Sequence, residues 1–560
     1  VAATQEALTQ FGAALEAGGV RFRLWAPGAR GVELALPGRF IPMRRSEGWF
    51  EHIEPGAGPG TRYRYRIDGE LLVPDPASRF QPQDVDGPSE VVDPGAYSWR
   101  HPAWRGRSWN EAVIYELHVG TFTAEGTYRA VIPKIQSLKA LGITALELMP
   151  LSDFAGRRNW GYDGVLPYAP DSAYGRPEDL KALVDAAHGA GLMIFLDVVY
   201  NHFGPKGNYL PRYAPQFFTR RHQTPWGSAI DYSNPVVREF FLHNVLYWLD
   251  EYRFDGLRFD AVHAIIDESP RHILDEIRQA APAHKHLVLE NDANQSRFIG
   301  PGRYAAQWND DSHHAYHVLA TAEAGGYYAA YADNPAQHLA RCLAEGFAYQ
   351  GEVSPFSREP RGEPSAHLAP SCFVDFLQNH DQVGNRAFGE RLISLCNETK
   401  LKALTAIQLL APSPPLIFMG EEWGCRQPFL FFCDFDGELA EAVRAGRKRE
   451  FPLIREMPDP NAEATFRQCV LDWGKRDPAW LQHYKDLLAL RARAIAPRKF
   501  GPGKYRMLGE RAFEVRWGGL TLMANCSDAE ITLEEMPQGN LLWSNARAGA
   551  PWSVDWRLAA

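Results

Sequence analysis

From about residue 112 to residue 495 the chain alternates short apolar runs with amphipathic segments, and no other feature limits its fold as much. AVIYELHVG precedes YRAVIPKIQSLKALG, TALELMPL precedes RPEDLKALVDAAHGAG, and LMIFLDVVYNH precedes NPVVREFFLHNVLYWLDEYRF. DGLRFDAV, HLVLEND, GRYAAQW, CFVDFLQNH and PPLIFMG continue the series. Runs that are apolar at nearly every position are strands buried on both faces, as parallel strands are. Helical periodicity between them implies right-handed βαβ units. Eight strands are expected, at about 112–119, 143–149, 192–200, 255–260, 286–291, 303–308, 373–379 and 414–420. The fold class that follows is α/β, a (β/α)8 TIM barrel. A doubly wound sheet is the competitor, but no GxGxxG or Walker loop follows any strand. PAWLQHYKDLLALRARAI (478–495) reads as the last barrel helix.

Different rhythms flank this region. VRFRLWAP, GVELALP, GWFEHIE and TRYRYRIDG are short β-rich runs separated by Gly and Pro turns, which predicts an N-terminal β-sandwich over residues 1–100. Pro74 to Pro102 reads as a linker. The catalytic barrel is assigned to 101–497, with insertions at 203–233 and 309–372 that are expected over the active face. YRMLG, AFEVRW and LTLMANCS predict a small C-terminal β-domain over 498–560.

Fifty-nine basic residues against 68 acidic ones leave a net charge of −9 without a Lys/Arg block, a poor match to nucleic acid or anionic membrane. No apolar run reaches the length of a bilayer span. The opening stretch VAATQEALTQFGAALEAG lacks a basic segment followed by a long apolar core, so no signal peptide is expected. Seven cysteines with no CxxC pair suit a reducing cytoplasm, and core packing accounts for them. A monomer is the default expectation.

Barrel enzymes place their chemistry at the C-terminal ends of the strands. Those ends carry Asp197 with Asn201 and His202, Arg258 with Asp260, Glu290 with Asp292, and His380 with Asp381. Any one carboxylate is most simply a solvated or capping group, but four at equivalent positions point to one mouth. Without a serine elbow, an HExxH motif or a nucleotide loop, paired carboxylates are the minimal equipment for glycoside hydrolysis. Arg258 and Asp260 lie two residues apart on a strand and face the same way, so the guanidinium favours the ionised carboxylate that a nucleophile requires. Glu290 ends the apolar run HLVLE, where burial raises its pKa toward that of a general acid. His202 and His380 can donate hydrogen bonds to sugar hydroxyls. Trp160 and Tyr162, after the second strand, can stack on a sugar face, with core packing as an equal reading. Asp310, His313 and His317 read as polar packing or substrate contact rather than metal ligands. Asn201 suggests calcium, but 203–233 offers only Asp231 as a carboxylate, so no metal and no cofactor are expected. Glu421 or Glu422, after the eighth strand, would line a distant subsite or form a surface salt bridge.

DVVYNH (197–202), GLRFDAVH (256–263), LVLEND (287–292) and FLQNHDQVGN (376–385) resemble the four signature segments of the α-amylase superfamily, in order along the whole barrel. The resemblance implies Asp260 as nucleophile, Glu290 as acid/base and Asp381 as stabiliser of the oxocarbenium-like transition state. It also implies Tyr162, Trp160, His202, Arg258, His263, His380 and Asp292 as substrate-binding residues, Asp197 as a structural carboxylate, and about 5–5.5 Å between the carboxyls of Asp260 and Glu290.

An N-terminal sandwich before such a barrel resembles branching enzymes, isoamylases and maltooligosyltrehalose trehalohydrolases. YELHVGTFTAEGTY, PLSDFAGRRNWGYDGV, LENDAN and QWNDDSHHAYH look most like the last. That resemblance implies hydrolysis of the α-1,4 bond beside the terminal trehalose of maltooligosyl trehalose, an α-glucan oligosaccharide. The alternative is a 1,4-α-glucan branching enzyme, in which Ser or Thr more typically follows the acid/base glutamate; here Asn291 and Asp292 stand there. A non-catalytic carbohydrate-binding protein would have lost a catalytic carboxylate, and all three are present. Replacing Asp260 by Asn is expected to abolish nearly all turnover while leaving the circular dichroism spectrum unchanged; wild-type-like activity in that variant would overturn the assignment.

Overall fold

The computed structural model describes residues 10–533, 535 and 538–559. Most of the opening stretch in which no signal peptide was expected, residues 1–9, lies outside them. Eight parallel strands close into a barrel: β1 (Ile114–Leu117), β2 (Ala145–Leu148), β3 (Met193–Val198), β4 (Gly256–Phe259), β5 (His286–Leu289), β6 (Ala306–Trp308), β7 (Phe373–Phe376) and β8 (Pro415–Phe418). β8 pairs back onto β1, with Glu116 opposite Phe418. Each strand is a few residues shorter than its apolar run, because the flanking residues go into turns that start or end the helices.

The period-two alternation of a strand decides what the barrel contains. Ile114, Ala145, Phe195, Val288, Ala306, Val374 and Leu416 form an internal apolar cluster. Two residues further along, on the same face, come Glu116, Glu147, Asp197, Glu290 and Trp308, with Arg258 following Gly256 on β4. The lower half of the lumen is therefore apolar, and the upper half sets the polar groups beside Trp308 and Phe376. The intervening residues, among them Leu146, Ile194, Leu196, Leu257, Leu287 and Leu289, point outward and join the main core with the helices.

Helix Pro177–Ala190 shows how these helices are delimited. Pro177 occupies the first turn, where its missing N–H costs nothing, and Gly191 ends the helix at φ 79°, a conformation that strains most residues with a side chain. Helix Pro478–Ala494 packs beside helix Glu398–Leu410. From it the buried Arg491 donates to the carbonyls of Leu409, Ala411 and Ser413, ahead of β8. Burial, which outweighs a distant Asp375, lowers the Arg491 pKa to about 9.

Before the barrel, two antiparallel sheets form the sandwich, one containing Gly19–Trp25 and Trp49–Glu54, the other Val32–Leu36 and Arg62–Ile67. It meets the barrel through aromatic edges, Phe11 on Phe240 and Trp25 on Phe217. After the barrel comes a five-stranded antiparallel sheet in which Trp517 and Trp556 stack. Their indole N–H groups donate to Leu343 and Ala406 of the barrel helices.

The two long insertions differ from expectation in one respect. In 203–233, the hairpin Phe218–Thr224 and Gly227–Ile230 carries Trp226 over the mouth. In 309–372, helix Pro335–Glu345 instead packs on helix Asp310–Thr321 and against the C-terminal sheet. Its apolar face, with Leu339 and Leu343 buried, needs a partner, and that sheet supplies one. The loop bearing Arg361 returns to the rim, where it meets Asp292, and Asp310, the first residue of its helix, lies beside Gln382. Among the described residues no helix is long and apolar enough to cross a membrane.

Arg491→Ala would leave three buried carbonyls without their donor, at a cost of about 3 kcal/mol. The apparent unfolding temperature of this variant is expected to fall by several degrees in a thermal melt, with the residual folded protein still active.

Candidate active site

At the C-terminal end of the strands one guanidinium joins three of them. Arg258 Nη1 donates to Asp197 Oδ2 at 2.7 Å and to Asp260 Oδ1 at 2.8 Å, and Nη2 lies 3.8 Å from Glu290 Oε2. Its cationic carbon stands 4.2 Å from the Trp308 ring centre. Burial opposes the charge of Arg258, yet Asp197, Tyr162, Asp260 and Glu290 together raise its pKa well above the ordinary arginine value. The group is a permanent cation in the floor of the site.

The acids around it are not equivalent. Burial pushes Glu290 well above the usual carboxylate range; Arg258 opposes the shift, and Asp260 and Asp310 add to it. Glu290 Oε2 also accepts the backbone N–H of Ala261 at 2.6 Å, which fixes its direction. Asp197 is pushed up to about 7 by burial despite Arg258, and it accepts the Tyr162 hydroxyl at 2.7 Å. Asp381, at the start of the short helix His380–Gly384, is raised by burial and held by the Asn385 amide at 2.5 Å. Asp260 bonds Arg258 through one oxygen; the other takes no hydrogen bond from the described residues.

Arg258, Asp260, Glu290 and Asp381 line a cavity of about 480 Å³ together with Tyr162, His202, Trp226, His263, His380 and Asn385, and Asp197 lies behind its wall. The loop carrying Trp160 and Tyr162 turns at Gly161, φ 104°, where a Cβ would lie 2.1 Å from the Pro150 carbonyl oxygen. Only glycine fits there. Tyr162 stacks on His380 at 5.1 Å. His202 donates through Nδ1 to Asn201 Oδ1 at 2.8 Å and carries Trp226 stacked at 5.4 Å.

Two expected contributors stand differently. Trp160 lines the cavity, but its ring stacks on Phe429, abuts Phe431 and donates to the Leu430 carbonyl, so it serves as a packed wall rather than an open platform. Asp292 is not in the cavity wall. Its carboxylate pairs with Arg361 at 3.0 Å, and its backbone N–H donates to His263 Nδ1. Glu421 and Glu422 form neither a subsite nor a surface salt bridge: both are buried, accepting the hydroxyls of Tyr484 and Tyr115.

His313 bonds the Leu377 carbonyl, and His317 bonds Glu323 and stacks on Tyr328, which is polar packing. Among the described residues no group of three or more His, Cys, Asp or Glu is arranged to hold a metal ion. Asp310 lies closer to the chemistry; burial raises it to about 7, with Asp292 and Asp381 adding to the shift. Sequence reasoning missed Trp226, Asn385, Arg361 and Glu116. A tryptophan in the polar stretch QTPWGS and a glutamate inside the apolar run AVIYEL were the available signals.

A parallel barrel with an arginine set among acids on consecutive strand ends defines an α-amylase-class glycoside hydrolase. Residues 78–225 match the alpha amylase catalytic domain, and residues 10–82 match carbohydrate-binding module 48, the isoamylase N-terminal domain. The malto-oligosyltrehalose trehalohydrolase of Deinococcus radiodurans is 45% identical over 84% of this chain and 81% of its own. That of Saccharolobus solfataricus is 42% identical over 86% of each. The crystal structure of an alpha amylase candidate from Salmonella typhimurium superposes with a TM-score of 0.95 at 47% identity, covering 98% of this chain and 99% of that one. The chain belongs to the malto-oligosyltrehalose trehalohydrolase family.

Proposed function

We propose that the protein hydrolyses the α-1,4-glucosidic bond adjacent to the terminal trehalose of maltooligosyl trehalose with retention of configuration, releasing trehalose. The substrate is supported by the malto-oligosyltrehalose trehalohydrolases that are 42–45% identical to this chain, and the chemistry by the shared guanidinium. Arg258 bonds Asp260 and approaches Glu290 in one cavity that also contains Asp381. Asp260 attacks the anomeric carbon through its free oxygen, and the bond to the leaving oxygen breaks as Glu290 delivers its proton there. Water then enters, Glu290 takes a proton from it, and the resulting attack releases the glucan from Asp260. Burial keeps Glu290 protonated for the first step; the hydrogen bond from Arg258 orients Asp260.

The remaining roles follow from position. Asp381 balances positive charge developing on the sugar ring, and Asp197 holds Arg258 and Tyr162 in place. Tyr162, His202, His263 and His380 bind the ring beside the cleaved bond, and Trp160 shapes the wall behind them. Asp292 acts at the rim through Arg361. The seven cysteines are unpaired and six are buried, which supports a cytoplasmic setting.

Maltotriosyl trehalose and maltopentaose distinguish the trehalohydrolase from the branching reading. Rapid trehalose release from the first with slow attack on the second is expected by chromatography; new α-1,6 linkages on longer glucans without trehalose would overturn the reading. Because Glu290 is raised and must be protonated to act, kcat/KM is expected to hold through mildly acidic pH and to fall as pH rises through its pKa. In Glu290→Gln that alkaline limb is lost along with most turnover of the natural substrate, and α-maltosyl fluoride, whose leaving group needs no proton, is spared in the first step.

A further inference from the structure

Beneath the cavity, two glutamates from neighbouring strands stand side by side. Glu116 on β1 and Glu147 on β2 are register partners, and both are 1% exposed. Their surroundings differ sharply. Glu116 receives two donors from one residue: the His380 backbone N–H at 3.1 Å and the His380 ring through Nδ1 at 2.5 Å. Neither oxygen of Glu147 has a hydrogen-bond partner among the described residues, and burial, with Glu116 and Asp197 adding to it, pushes its carboxyl well up. Two adjacent buried carboxylates cannot both ionise cheaply. The arrangement sets His380 against Glu116 and leaves Glu147, the carboxyl that burial raises, as the neutral acid.

From this geometry we propose that Glu116 is a positioning residue that keeps His380 as an imidazolium, with its Nε2–H turned to the bound sugar. The ring has little freedom to do otherwise. Tyr162 stacks on it at 5.1 Å and Trp160 meets its edge at 5.5 Å. With Nδ1 committed to Glu116, the Nε2 edge is what His380 offers to the cavity it lines. A neutral ring bonded to Glu116 through Nδ1–H would present Nε2 as an acceptor, whereas the imidazolium donates at both nitrogens. Protonation therefore decides whether this wall gives or takes a hydrogen bond from a sugar hydroxyl.

The charged and titratable groups facing the ring are Glu116 from β1, His118 after β1, Tyr162 from the loop after β2, Arg258 from β4 and the adjacent Asp381. Burial, Arg258 and any charge on His118 disfavour the imidazolium. Glu116, in direct contact, and Asp381 favour it, and the balance lies above the ordinary histidine value. Removing the Glu116 charge leaves Asp381 alone against burial and Arg258.

This inference deepens the hydrolase reading and rests on it only for its kinetic arm. Its first readout needs no substrate: 15N-histidine NMR of the whole enzyme, with the His380 resonances assigned by their loss in His380→Asn. The wild-type ring is expected to stay an imidazolium at neutral pH, and in Glu116→Gln to become neutral there. In the kinetic arm, the ratio of wild-type to Glu116→Gln kcat/KM is expected to rise about tenfold or more between about pH 5 and about pH 7.5, since the variant's ring still protonates in acid. Taking the ratio cancels the shared Glu290 limb. Glu116→Asp, which keeps the charge, should restore part of the profile, and Glu147→Gln should leave the His380 titration where it is. Circular dichroism confirms that each variant is folded. A neutral wild-type His380 at neutral pH, a pH-independent ratio, or an equal effect from Glu147→Gln would overturn the proposal. Failure to release trehalose with the NMR result intact would overturn the substrate reading instead.

Discussion

The mouth of the barrel is organised around one buried cation. Arg258 is 2% exposed and draws a carboxylate from β3, one that follows β4 and one that follows β5 toward a single point. A guanidinium suits this task because its donors are fixed in a plane and its charge is not lost on burial. Isolating such a charge from water costs many kcal/mol, so the cation and its acids are stable only together. The three partners meet because the barrel is closed and parallel, with equivalent strand ends side by side. Burial raises Glu290, Asp197 and Asp381 alike, and Arg258 opposes the shift at each.

That cluster depends in turn on the apolar lumen beneath it. Ile114, Ala145, Phe195, Val288 and Leu416 exclude water from the lower half, which makes polar contacts above them strong and unpaired groups expensive. Outside, the helices cover the strands, and the flanking sheets brace those helices rather than the site. Trp517 and Trp556 illustrate this, each hydrogen-bonded to a helix carbonyl far from the cavity. The hairpin bearing Trp226 and the loop with Trp160 and Tyr162 extend from the scaffold into the cavity wall, and Arg361 meets Asp292 outside it.

Legibility differed by residue type. Asp260 and Glu290 stood out because each directly follows an apolar strand, where a charge has no structural reason to be; Asp381 lies further on, in the short helix after β7. Asp197 interrupts an apolar strand, and its contacts with Arg258 and Tyr162 suit a supporting place. Trp160 was readable as aromatic wall or sugar platform, and only packing against Phe429 and Phe431 separates the two. Glu421 and Glu422, which follow a strand end in a short turn, read equally as lining a distant subsite or forming a surface salt bridge. Partners distant in sequence, Tyr484 and Tyr115, bury them. Asp292 follows Glu290 by two residues, yet the chain turns there and Arg361 captures its carboxylate outside the cavity.

By itself the sequence determined the barrel, the order of its strands, the β character of both flanks and the positions of the three acids. All of these are written in local periodicity and in where charge meets an apolar run. Tertiary structure decided which acid each partner serves: that Arg258 takes Asp197 as well as Asp260, that Glu116 rather than Glu147 holds His380, and that Trp226 reaches the mouth. The physical reason is that hydrogen bonds and burial join residues hundreds of positions apart, as Glu116 and His380 are. No local pattern records which of two equivalent carboxylates will find the donor.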